Sequence, residues 1–536
     1  MTAIDIAFYS SCTVTFIIIL QVVYRLYFHP LAKYPGPFLA RCTSWYGAYQ
    51  SYTGNIHLDV QRCHEKYGDV VRYKPNGLIV NTVEGLQDIY MHPSKTQKAR
   101  GYIGFRNGKP EVSIINALDR EEHAPRRKML SRAFSTVALK KYEPVIYRTA
   151  KVFGDTLLAS PESSEKARSW GPGLNIGHIS SYFTFDIMSN IVFYSPQNMM
   201  TETHARPILE TIDNCMLMAG MEVIQPRLVD YRNLRTYLAP RLTKKILNLG
   251  ERIWPLVMGR IELEKKQHVD DIFGDLIGQQ GKEGSGLTNE ELMADALVMV
   301  IAGTDTSSVA ISGFFFYIAR HPEVYKRLAA EIRSTFSSLE EIAPGPRLTS
   351  CSYLLACIDE ALRLAPPVAA PLWREMRMQE SIAGNVLPKG VDVATCCYAI
   401  QRNPAYFPDP DEFIPERWLP DNQSEEALKL AKRAFIPFSL GSRGCLGKNI
   451  AYMELTTALA QIMFRADWKR AEGPMGTIGE TRSGAKGAVN FEIKGHFTSE
   501  KHGPYIQFIP RDLDEQVSAQ TPEALQCVEE LSGVTG

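Results

Sequence analysis

One cysteine in a glycine-rich stretch near the C-terminus is the side chain with the clearest potential for chemistry. Residues 438–447 read FSLGSRGCLG and contain Gly441, Arg443, Cys445 and Gly447. Glycine has no side chain, so such a loop lets the backbone approach a flat cofactor closely. A cysteine thiolate is a known proximal ligand of haem iron, and backbone N–H groups directed at its sulfur tune the metal. We therefore predict that Cys445 binds a haem iron; a buried free cysteine in a turn is the structural alternative.

The elements that position this loop are predicted to be mainly helical. An apolar run over residues 288–320 predicts one long helix, because Thr288 and Glu291 fit a capping box at its start and Pro322 follows its end. A flexible loop is predicted before this helix, at residues 281–286. Other helices are predicted over residues 322–336 and 351–364, and short strands over residues 70–73, 78–81, 382–383 and 391–395. The sequence thus predicts a mainly α protein with minor β structure.

The N-terminal segment is long and apolar enough to cross a bilayer. Residues 6–24 carry no charge, and about 20 residues suffice for a membrane-spanning helix. Asp5 precedes this run and the basic residues Arg25 and Lys33 follow it, which favours a cytoplasmic location for the rest of the chain. A cleaved signal peptide is the alternative, although the segment lacks a basic start and a small-x-small cleavage site.

Composition narrows the functional classes further. The 536 residues include 59 basic and 59 acidic side chains, so the global charge does not indicate a nucleic-acid partner. The 10 cysteines show no C-x-x-C spacing, which argues against a disulfide framework or a structural zinc site. We expect four regions: a membrane anchor (1–25), a proline-rich linker (26–37), one folded domain (38–511) and a polar, disordered tail (512–536).

The cysteine loop resembles the F-x-x-G-x-R-x-C-x-G motif of the cytochrome P450 family at every fixed position. Glu360 and Arg363 resemble the family's E-x-x-R pair, and Arg417 resembles the arginine that joins it. A buried glutamate between two guanidiniums would be fully paired; an exposed helix salt bridge is the alternative for an isolated pair. The resemblance extends from the anchor to about residue 511. It implies the P450 fold, a haem b cofactor and a fungal microsomal type common in secondary-metabolite pathways.

The middle of the long helix resembles the family's oxygen-activating segment, which includes Ala302 and Gly303. The resemblance implies that Gly303 leaves room for dioxygen above the iron. It also implies that Thr306 donates a hydrogen bond to the bound oxygen while Asp305 relays protons from solvent. The structural alternative is a helix whose hydroxyls bond back to the carbonyl four residues earlier.

The resemblance also implies a set of side chains around the haem propionates. His123 and Arg127 align with the family's W-x-x-x-R, with histidine in place of tryptophan, and Pro125 leaves the start of that helix uncertain. Arg374 and Arg443 would supply two further cations. The residues implied to contact the haem are thus His123, Arg127, Ala302, Gly303, Arg374, Phe438, Arg443, Cys445 and Gly447.

The resemblance implies a monooxygenase in the endoplasmic reticulum membrane, with its catalytic domain in the cytosol. Electrons would come from NADPH through NADPH–cytochrome P450 reductase, with cytochrome b5 as a second donor, because the chain has no convincing nucleotide site of its own. A basic cluster is expected to steer the reductase, with an ordinary solvated face as the alternative. The cluster comprises Arg126, Arg127, Lys128, Arg132, Lys140 and Lys141.

Two other functional classes stay open at this point. One is a haem-thiolate isomerase, dehydratase, or oxidative ring-rearranging or coupling enzyme; the other is a non-catalytic haem sensor. The presence of both Asp305 and Thr306 favours monooxygenation. Apolar residues and methionines in residues 102–115, 199–226 and 367–373 suit a small hydrophobic substrate, although core packing explains the methionines equally well.

Overall fold

The computed structural model describes residues 2–106, 111–159, 169–269, 271–277, 288–483 and 487–511. Within these residues the protein is mainly helical with small sheets, as predicted. Two predicted features, the flexible loop at residues 281–286 and the disordered tail at residues 512–536, lie outside the described residues.

Twenty α-helices make up most of the described chain. In chain order they are Ala3–Val23 (α1), Phe38–Cys42 (α2), Trp45–Tyr52 (α3), Ile56–Tyr67 (α4), Val83–Tyr90 (α5), Arg120–Ala133 (α6), Thr136–Leu158 (α7), Ile176–Phe193 (α8), Pro207–Ile224 (α9), Arg227–Asp230 (α10), Arg232–Leu238 (α11), Pro240–Lys266 (α12), Ile272–Ile277 (α13), Asn289–Ile318 (α14), Pro322–Thr335 (α15), Pro346–Thr349 (α16), Ser352–Leu364 (α17), Cys397–Ile400 (α18), Glu425–Ala434 (α19) and Lys448–Arg465 (α20). The three helices predicted from the sequence, α14, α15 and α17, are confirmed with slightly different ends.

Fourteen short strands form five small sheets within the described residues. The strands are Val70–Lys74 (β1), Gly77–Val80 (β2), Thr96–Lys98 (β3), Leu174–Asn175 (β4), Arg374–Met376 (β5), Glu380–Ile382 (β6), Asn385–Leu387 (β7), Asp392–Ala394 (β8), Ala466–Arg470 (β9), Glu480–Ser483 (β10), Ala488–Phe491 (β11), Ile493–Gly495 (β12), Ser499–Lys501 (β13) and Tyr505–Pro510 (β14). The largest sheet has the order β1-β2-β8-β5-β3, in which only β2 and β8 run parallel. Three of the predicted strands correspond to β1, β2 and β8. The strand predicted over residues 382–383 overlaps β6 only at Ile382, because Ala383 has a positive φ of 47° and lies in the turn that follows.

The long helix α14 runs through the core. The Thr288 hydroxyl accepts a hydrogen bond from the Glu291 N–H, and the Glu291 carboxylate accepts one from the Thr288 N–H, which confirms the predicted capping box. Helix α8 packs along α14 through buried hydroxyls; Thr184 donates to the Thr304 carbonyl at 2.9 Å. Two thirds of the apolar window of α14 (67%) is buried, so its length reflects a core helix and not a membrane span.

A fully paired buried glutamate holds α17 against the following loop. Both Glu360 carboxylate oxygens accept from Arg363 at 2.9 Å. Arg417 and the Trp418 indole donate to the same carboxylate at 3.0 Å each, and the Ile414 N–H donates at 2.9 Å. Glu360 and Arg363 are both completely buried. The predicted network of one glutamate and two guanidiniums is therefore confirmed, and the exposed alternative is wrong.

The N-terminal helix α1 continues as a π-helix over Tyr24–Phe28. Together they form an apolar rod of 26 residues, and none of these residues is buried against the domain. The chain that follows is fixed to the domain: the Arg72 N–H donates to the Pro35 carbonyl at 2.7 Å, and a Cβ on Gly36 would lie only 2.2 Å from the Arg72 carbonyl oxygen. The proline-rich segment thus packs on β1, and α1 is a candidate membrane-spanning helix.

Candidate haem site

The cysteine loop folds back on itself so that the Cys445 sulfur lies at the start of α20. The Cys445 N–H donates to the Phe438 carbonyl at 2.9 Å, and the Gly444 N–H donates to the Gly441 carbonyl at 3.0 Å. Burial raises the pKa of the Cys445 thiol, while hydrogen bonds from the Gly447 and Lys448 N–H groups lower it. Free N–H groups at a helix N-terminus favour a thiolate. The predicted tuning of the sulfur by backbone N–H groups is present.

Two glycines of the loop serve different purposes. Gly441 adopts a positive φ of 66°, and a Cβ there would lie 2.2 Å from the Tyr90 carbonyl oxygen. Only glycine therefore allows the loop to pack on α5. A Cβ on Gly447 would meet only the Cys445 sulfur, at 3.9 Å, so contacts with the rest of the described protein leave room for a side chain there.

Accessible surface in the interior marks the space that a flat cofactor would fill. The Cys445 thiol is exposed even though surrounding protein raises its pKa through burial, so its free face opens into an internal space. Ala302 is exposed in the middle of α14, and its neighbour Thr306 is half-buried, while most of that helix is buried. An accessible sulfur and an accessible patch on the core helix fit a cofactor bound between them.

Cations that are buried (Lys98 and Arg374) or half-buried (Arg127 and Arg443) gather at one edge of this space. Lys98, His123, Arg127, Arg374 and Arg443 influence one another electrostatically. Burial, and then the charges of Arg443 and Lys98, lower the pKa of His123 to about 3. Across the described residues none of the four cations forms an ion pair with Asp or Glu. Burying unpaired charge is costly, so this cluster requires an anionic ligand such as the two haem propionates.

Backbone carbonyls orient these cations. Arg443 donates to the Ala117 and Leu118 carbonyls at 2.6 and 2.8 Å, and Arg127 donates to the Gly444 carbonyl at 2.7 Å. A cavity of about 330 Å³ opens beside them. It is lined by His123, Arg127, Arg374, Arg443 and residues of α5, β3 and α6. The structure thus brings the four predicted propionate residues together, and α6 accommodates Pro125 in its interior.

Two further members of this edge were missed by sequence reasoning. Lys98, at the end of β3, donates to the Ile115 carbonyl at 2.6 Å, and its ammonium lies 4.9 Å from the centre of the Tyr102 ring. Burial raises the pKa of the Tyr102 hydroxyl overall, whereas the charge of Arg374 lowers it; the hydroxyl has no hydrogen-bond partner of ordinary geometry among the described residues. No local motif marks either residue, because their roles arise from strand pairing between β3 and β5.

Substitution of Lys98 should change haem affinity and the stability of the apoprotein in opposite directions. We expect Lys98→Met to lower haem affinity by about 10-fold, because a charge-assisted hydrogen bond contributes about 1.5–3 kcal/mol. The apoprotein should become more stable, since one of several repelling cations is removed. Haem titration and urea unfolding of the apoprotein measure the two effects. Lys95→Met, which removes a partly exposed lysine paired with Asp88 at 3.4 Å, is the control; unchanged haem affinity in Lys98→Met would contradict the assignment.

Gly303, in the segment predicted to activate oxygen, has a packing role in the structure. A Cβ on Gly303 would lie 2.4 Å from the Met188 sulfur, so this glycine allows α8 to pack on α14. The absent side chain makes room for Met188. The role of Gly303 in admitting dioxygen stays a prediction. The Thr306 hydroxyl donates to the Ala302 carbonyl at 2.8 Å, which is the back-bonded alternative considered from sequence. Asp305 is buried and accepts a hydrogen bond from Thr498.

Phe438, the first residue of the cysteine loop, lies over the start of α20. Its ring packs against that of Tyr452, with 5.3 Å between centroids, and the Lys448 ammonium lies 5.7 Å from the Phe438 ring centre. The Tyr452 hydroxyl in turn donates to Asp359 at 2.5 Å. Phe438, the aromatic residue predicted to contact the cofactor, is therefore fixed in place by Tyr452 of α20, which in turn is hydrogen-bonded to α17.

The predicted basic cluster does not form one surface. Arg126 points inward and pairs with Asp295 at 2.5 Å and Glu291 at 2.6 Å, so its inclusion in a docking face is wrong. Its position on α6 directs it toward α14, and burial beside two acids is the more favourable environment for a guanidinium. Lys141 lies 3.7 Å from Asp275. Lys128, Arg132 and Lys140 remain exposed.

One buried acid near the site predicts a distinct pH effect. Glu454 on α20 is 1% exposed, and neither carboxylate oxygen has a hydrogen-bond partner of ordinary geometry among the described residues. Burial raises its pKa to about 8, with a smaller opposing effect of the Ser307 hydroxyl. Between the ordinary glutamate pKa of 4.5 and this value the native state binds more protons than the unfolded state. The free energy of unfolding therefore decreases as pH rises through that window.

We expect Glu454→Gln to remove this decrease, which is on the order of 4 kcal/mol across the window. Urea unfolding of both proteins at about pH 5 and pH 8 measures the difference. Glu323→Gln on α15 is the matched control, because the Glu323 side chain is exposed and pairs with Lys326 at 2.9 Å. Identical pH dependence in the wild type and Glu454→Gln would show that Glu454 is not the titrating group.

Comparisons with known proteins agree with this geometry. The family described as Cytochrome P450 matches residues 35–490. The chain is 36% identical to cytochrome P450 monooxygenase apf7 of Gibberella fujikuroi, over 92% of this chain and 96% of the relative. It is 36% identical to monooxygenase AKT7 of Alternaria alternata, over 95% and 99% of the two chains. It is 34% identical to monooxygenase atnE of Emericella nidulans, over 92% and 94%. Because the family model matches most of its length and the fungal monooxygenases align over nearly all of it, this chain belongs to the cytochrome P450 family.

Proposed function

We propose that this protein is a membrane-anchored monooxygenase that uses haem b and inserts one atom of dioxygen into a small hydrophobic molecule. The observation that carries the proposal is the Cys445 sulfur, which opens into the interior and accepts two backbone N–H hydrogen bonds. Cys445 would ligate the iron, and the cluster of His123, Arg127, Arg374 and Arg443 would bind the propionates. When bound, a thiolate-ligated haem supplies the chemistry of O–O cleavage.

The chain's own residues would manage protons on the opposite side. The Thr306 hydroxyl has a free acceptor site while it donates to Ala302, and rotation about χ1 would free its proton for a ligand. Burial raises the pKa of Asp305, which favours the protonated carboxyl that a proton donor requires. An acid of this kind next to Thr306 supports monooxygenation over an isomerase, a dehydratase or a passive haem sensor, which do not require delivered protons.

The hydrophobic substrate would bind near the segments expected from sequence, residues 102–115, 199–226 and 367–373. The methionines of these segments give little support for a hydrophobic substrate, because four of them are buried in the core: Met199, Met200, Met216 and Met218. Core packing therefore explains these four. The support for a hydrophobic substrate comes instead from the apolar lining of α14 and from the family.

Three features support the remaining details. The rod from α1 to Phe28 supports a single-pass anchor. Arg25 near its C-terminal end and Lys33 after it support a cytosolic domain at the endoplasmic reticulum membrane. The fungal relatives support a role in secondary metabolism. Exposed Lys128 and Arg132 on α6 support docking of an acidic partner, NADPH–cytochrome P450 reductase or cytochrome b5, on the thiolate side.

The test of the function is turnover by the full-length protein in membranes with its reductase. A thiolate-type absorption band of the reduced, carbon monoxide-bound form is expected first. Candidate hydrophobic metabolites that perturb the haem spectrum are then supplied with NADPH under ¹⁸O₂. One labelled oxygen atom in the product, only in the presence of reductase, is the expected result. Product formation without reductase, and without label, would identify a rearranging enzyme instead.

The docking face is tested by neutralising two exposed cations. We expect Lys128→Gln combined with Arg132→Gln to slow NADPH-dependent reduction by about 10-fold at low salt, with little effect at high salt, because the attraction is screened. Stopped-flow formation of the carbon monoxide complex follows reduction. Lys326→Gln with Lys429→Gln, two exposed lysines on α15 and α19, is the control. An unchanged rate at low salt would exclude this face.

A further inference from the structure

Asp305 belongs to a larger group of titratable side chains where α9, α14 and the β12–β13 hairpin meet. Thr498, in the turn of that hairpin, donates a hydrogen bond to the Asp305 carboxylate. Burial raises the pKa of Asp305, Lys501 and Thr498 lower it, and Glu500 raises it further. The hairpin therefore brings its own charges to the acid beside Thr306.

Asp213 on α9 faces the same group. Burial, and then the charge of Asp305, raise the pKa of Asp213 to about 7. Asp213 nevertheless keeps an exposed surface, and no ion pair or hydrogen bond engages its side chain within the described chain. An acid that is crowded by protein and still accessible lies in a recess that solvent can enter. Neither the haem site nor any ion pair of the fold uses this carboxyl.

Helix α9 is held against the hairpin by one face. Asp213, Met216 and Gly220 share that face, since residues three, four and seven apart lie together on a helix. The Phe497 N–H donates to the Met216 carbonyl at 3.2 Å. A Cβ on Gly220 would lie 2.8 Å from the Phe497 nitrogen, so glycine is required for this close approach. The backbone contact keeps Asp213 at the hairpin turn and hence close to Asp305.

Charged groups on the hairpin act on the ionisation of both aspartates. Glu500 accepts from His496 and Lys494, both at 3.2 Å, and these contacts lower its pKa to about 2, so it stays ionised. Its negative charge disfavours ionisation of Asp213 and Asp305, whereas Lys501 and His496 favour it. From the elements packed on α9, α12 offers Lys245, which pairs with Glu210 at 2.5 Å, and α3 contains no charged residue. With Glu500 ionised, ionisation of both aspartates would place three carboxylates together, so one proton is retained.

We propose that Asp213 and Asp305 form a two-carboxyl relay that carries protons from solvent to Thr306. The inference rests on the proposed function. In each cycle the O–H bond on Asp305 breaks as the Thr306 hydroxyl oxygen accepts that proton and passes its own proton on to the oxygen atom that becomes water. The O–H bond on Asp213 then breaks as a new O–H bond forms on Asp305, through water in the recess, and Asp213 regains a proton from solvent. No electrons move, and two cycles supply the two protons that reduction of one oxygen atom to water consumes. Asp213 touches no reacting atom and acts through Asp305, so it is a positioning residue and not a catalytic one.

Infrared spectroscopy of the haem-loaded full chain tests the pair without turnover. Difference spectra between about pH 5 and pH 9 should contain a protonated-carboxyl band. The midpoint of its titration should lie near the Asp213 pKa of about 7, and the band should be absent from Asp213→Asn. Asp305→Asn should shift this band to lower pH, because a neighbouring negative charge is removed. Glu210→Gln, one turn earlier on α9, should leave it unchanged. The proposal would be overturned if Asp213→Asn kept this band, or if Asp305→Asn left its midpoint unchanged.

Kinetics test the relay itself. We expect Asp213→Asn to slow NADPH oxidation with reductase by about 10-fold, with a larger solvent deuterium isotope effect, while the reduced carbon monoxide spectrum confirms equal holoprotein. The double variant with Asp305→Asn should be no slower than Asp305→Asn alone, since both acids lie on one route. Multiplicative effects, or a rate within about 2-fold of the wild type, would overturn the relay. A wild type without a thiolate band would refute the proposed function instead, and the infrared result would still decide the carboxyl pair.

Discussion

Replacement of Cys445 by serine is expected to abolish the thiolate-type band of the reduced, carbon monoxide-bound protein. A serine hydroxyl does not supply the electron density that a thiolate donates to iron. The Gly447 and Lys448 N–H groups would also lose the anion that they stabilise. We expect NADPH-dependent turnover to fall by more than about 100-fold, beyond the loss typical of a changed outer-shell partner.

Another buried cysteine provides the control for this change. Cys63 on α4 is 5% exposed and lies in the hydrophobic core. Cys63→Ala should keep the thiolate band and lose only a modest part of the stability. Haem content determined after extraction, beside the carbon monoxide spectrum, separates altered ligation from lost cofactor. A thiolate band of normal intensity in Cys445→Ser would show that another residue ligates the iron.

Glu360→Gln is expected to lower the free energy of unfolding by about 3–5 kcal/mol, because removing one partner leaves buried charge uncompensated. Arg363 and Arg417 would keep their charges and lose the carboxylate they share. Interactions with these arginines outweigh burial and lower the pKa of Glu360. A lowered folded pKa adds stability above the unfolded pKa, so the wild type should lose this contribution as pH falls below the ordinary glutamate range.

Urea unfolding at neutral and acidic pH measures both parts of this prediction. The wild type and Glu360→Gln should differ strongly at neutral pH and converge at acidic pH. Glu323→Gln is the matched control, because Glu323 is exposed and its pair with Lys326 contributes less than about 1 kcal/mol. A Glu360→Gln protein as stable as this control would mean that the arginines are neutralised in another way.

Several features could be predicted from the sequence because they depend on short-range spacing. Cys445 and its glycines lie in one loop, Glu360 and Arg363 share one helical face, and Thr288 and Glu291 form one capping box. Each pattern is complete within a few residues, so local geometry determines it. The fold class, the long core helix, the apolar N-terminal helix and the family followed from such patterns. The strands of the C-terminal sheets were not predicted, because they are short and gain stability only by pairing.

The tertiary structure alone decided which distant residues meet. Lys98 joins the cation cluster through pairing of β3 with β5, Arg126 turns inward to Asp295, and Asp213 lies near Asp305 because α9 packs on a hairpin far along the chain. A lysine, an arginine and an aspartate have the same local pattern whether solvent or protein surrounds them. Their charge states and partners depend on burial and on neighbours brought together by packing, and no spacing along the chain encodes those contacts. Local sequence patterns were enough to predict Cys445 as the iron ligand and α14 as the long core helix, whereas packing determined which charges surround them.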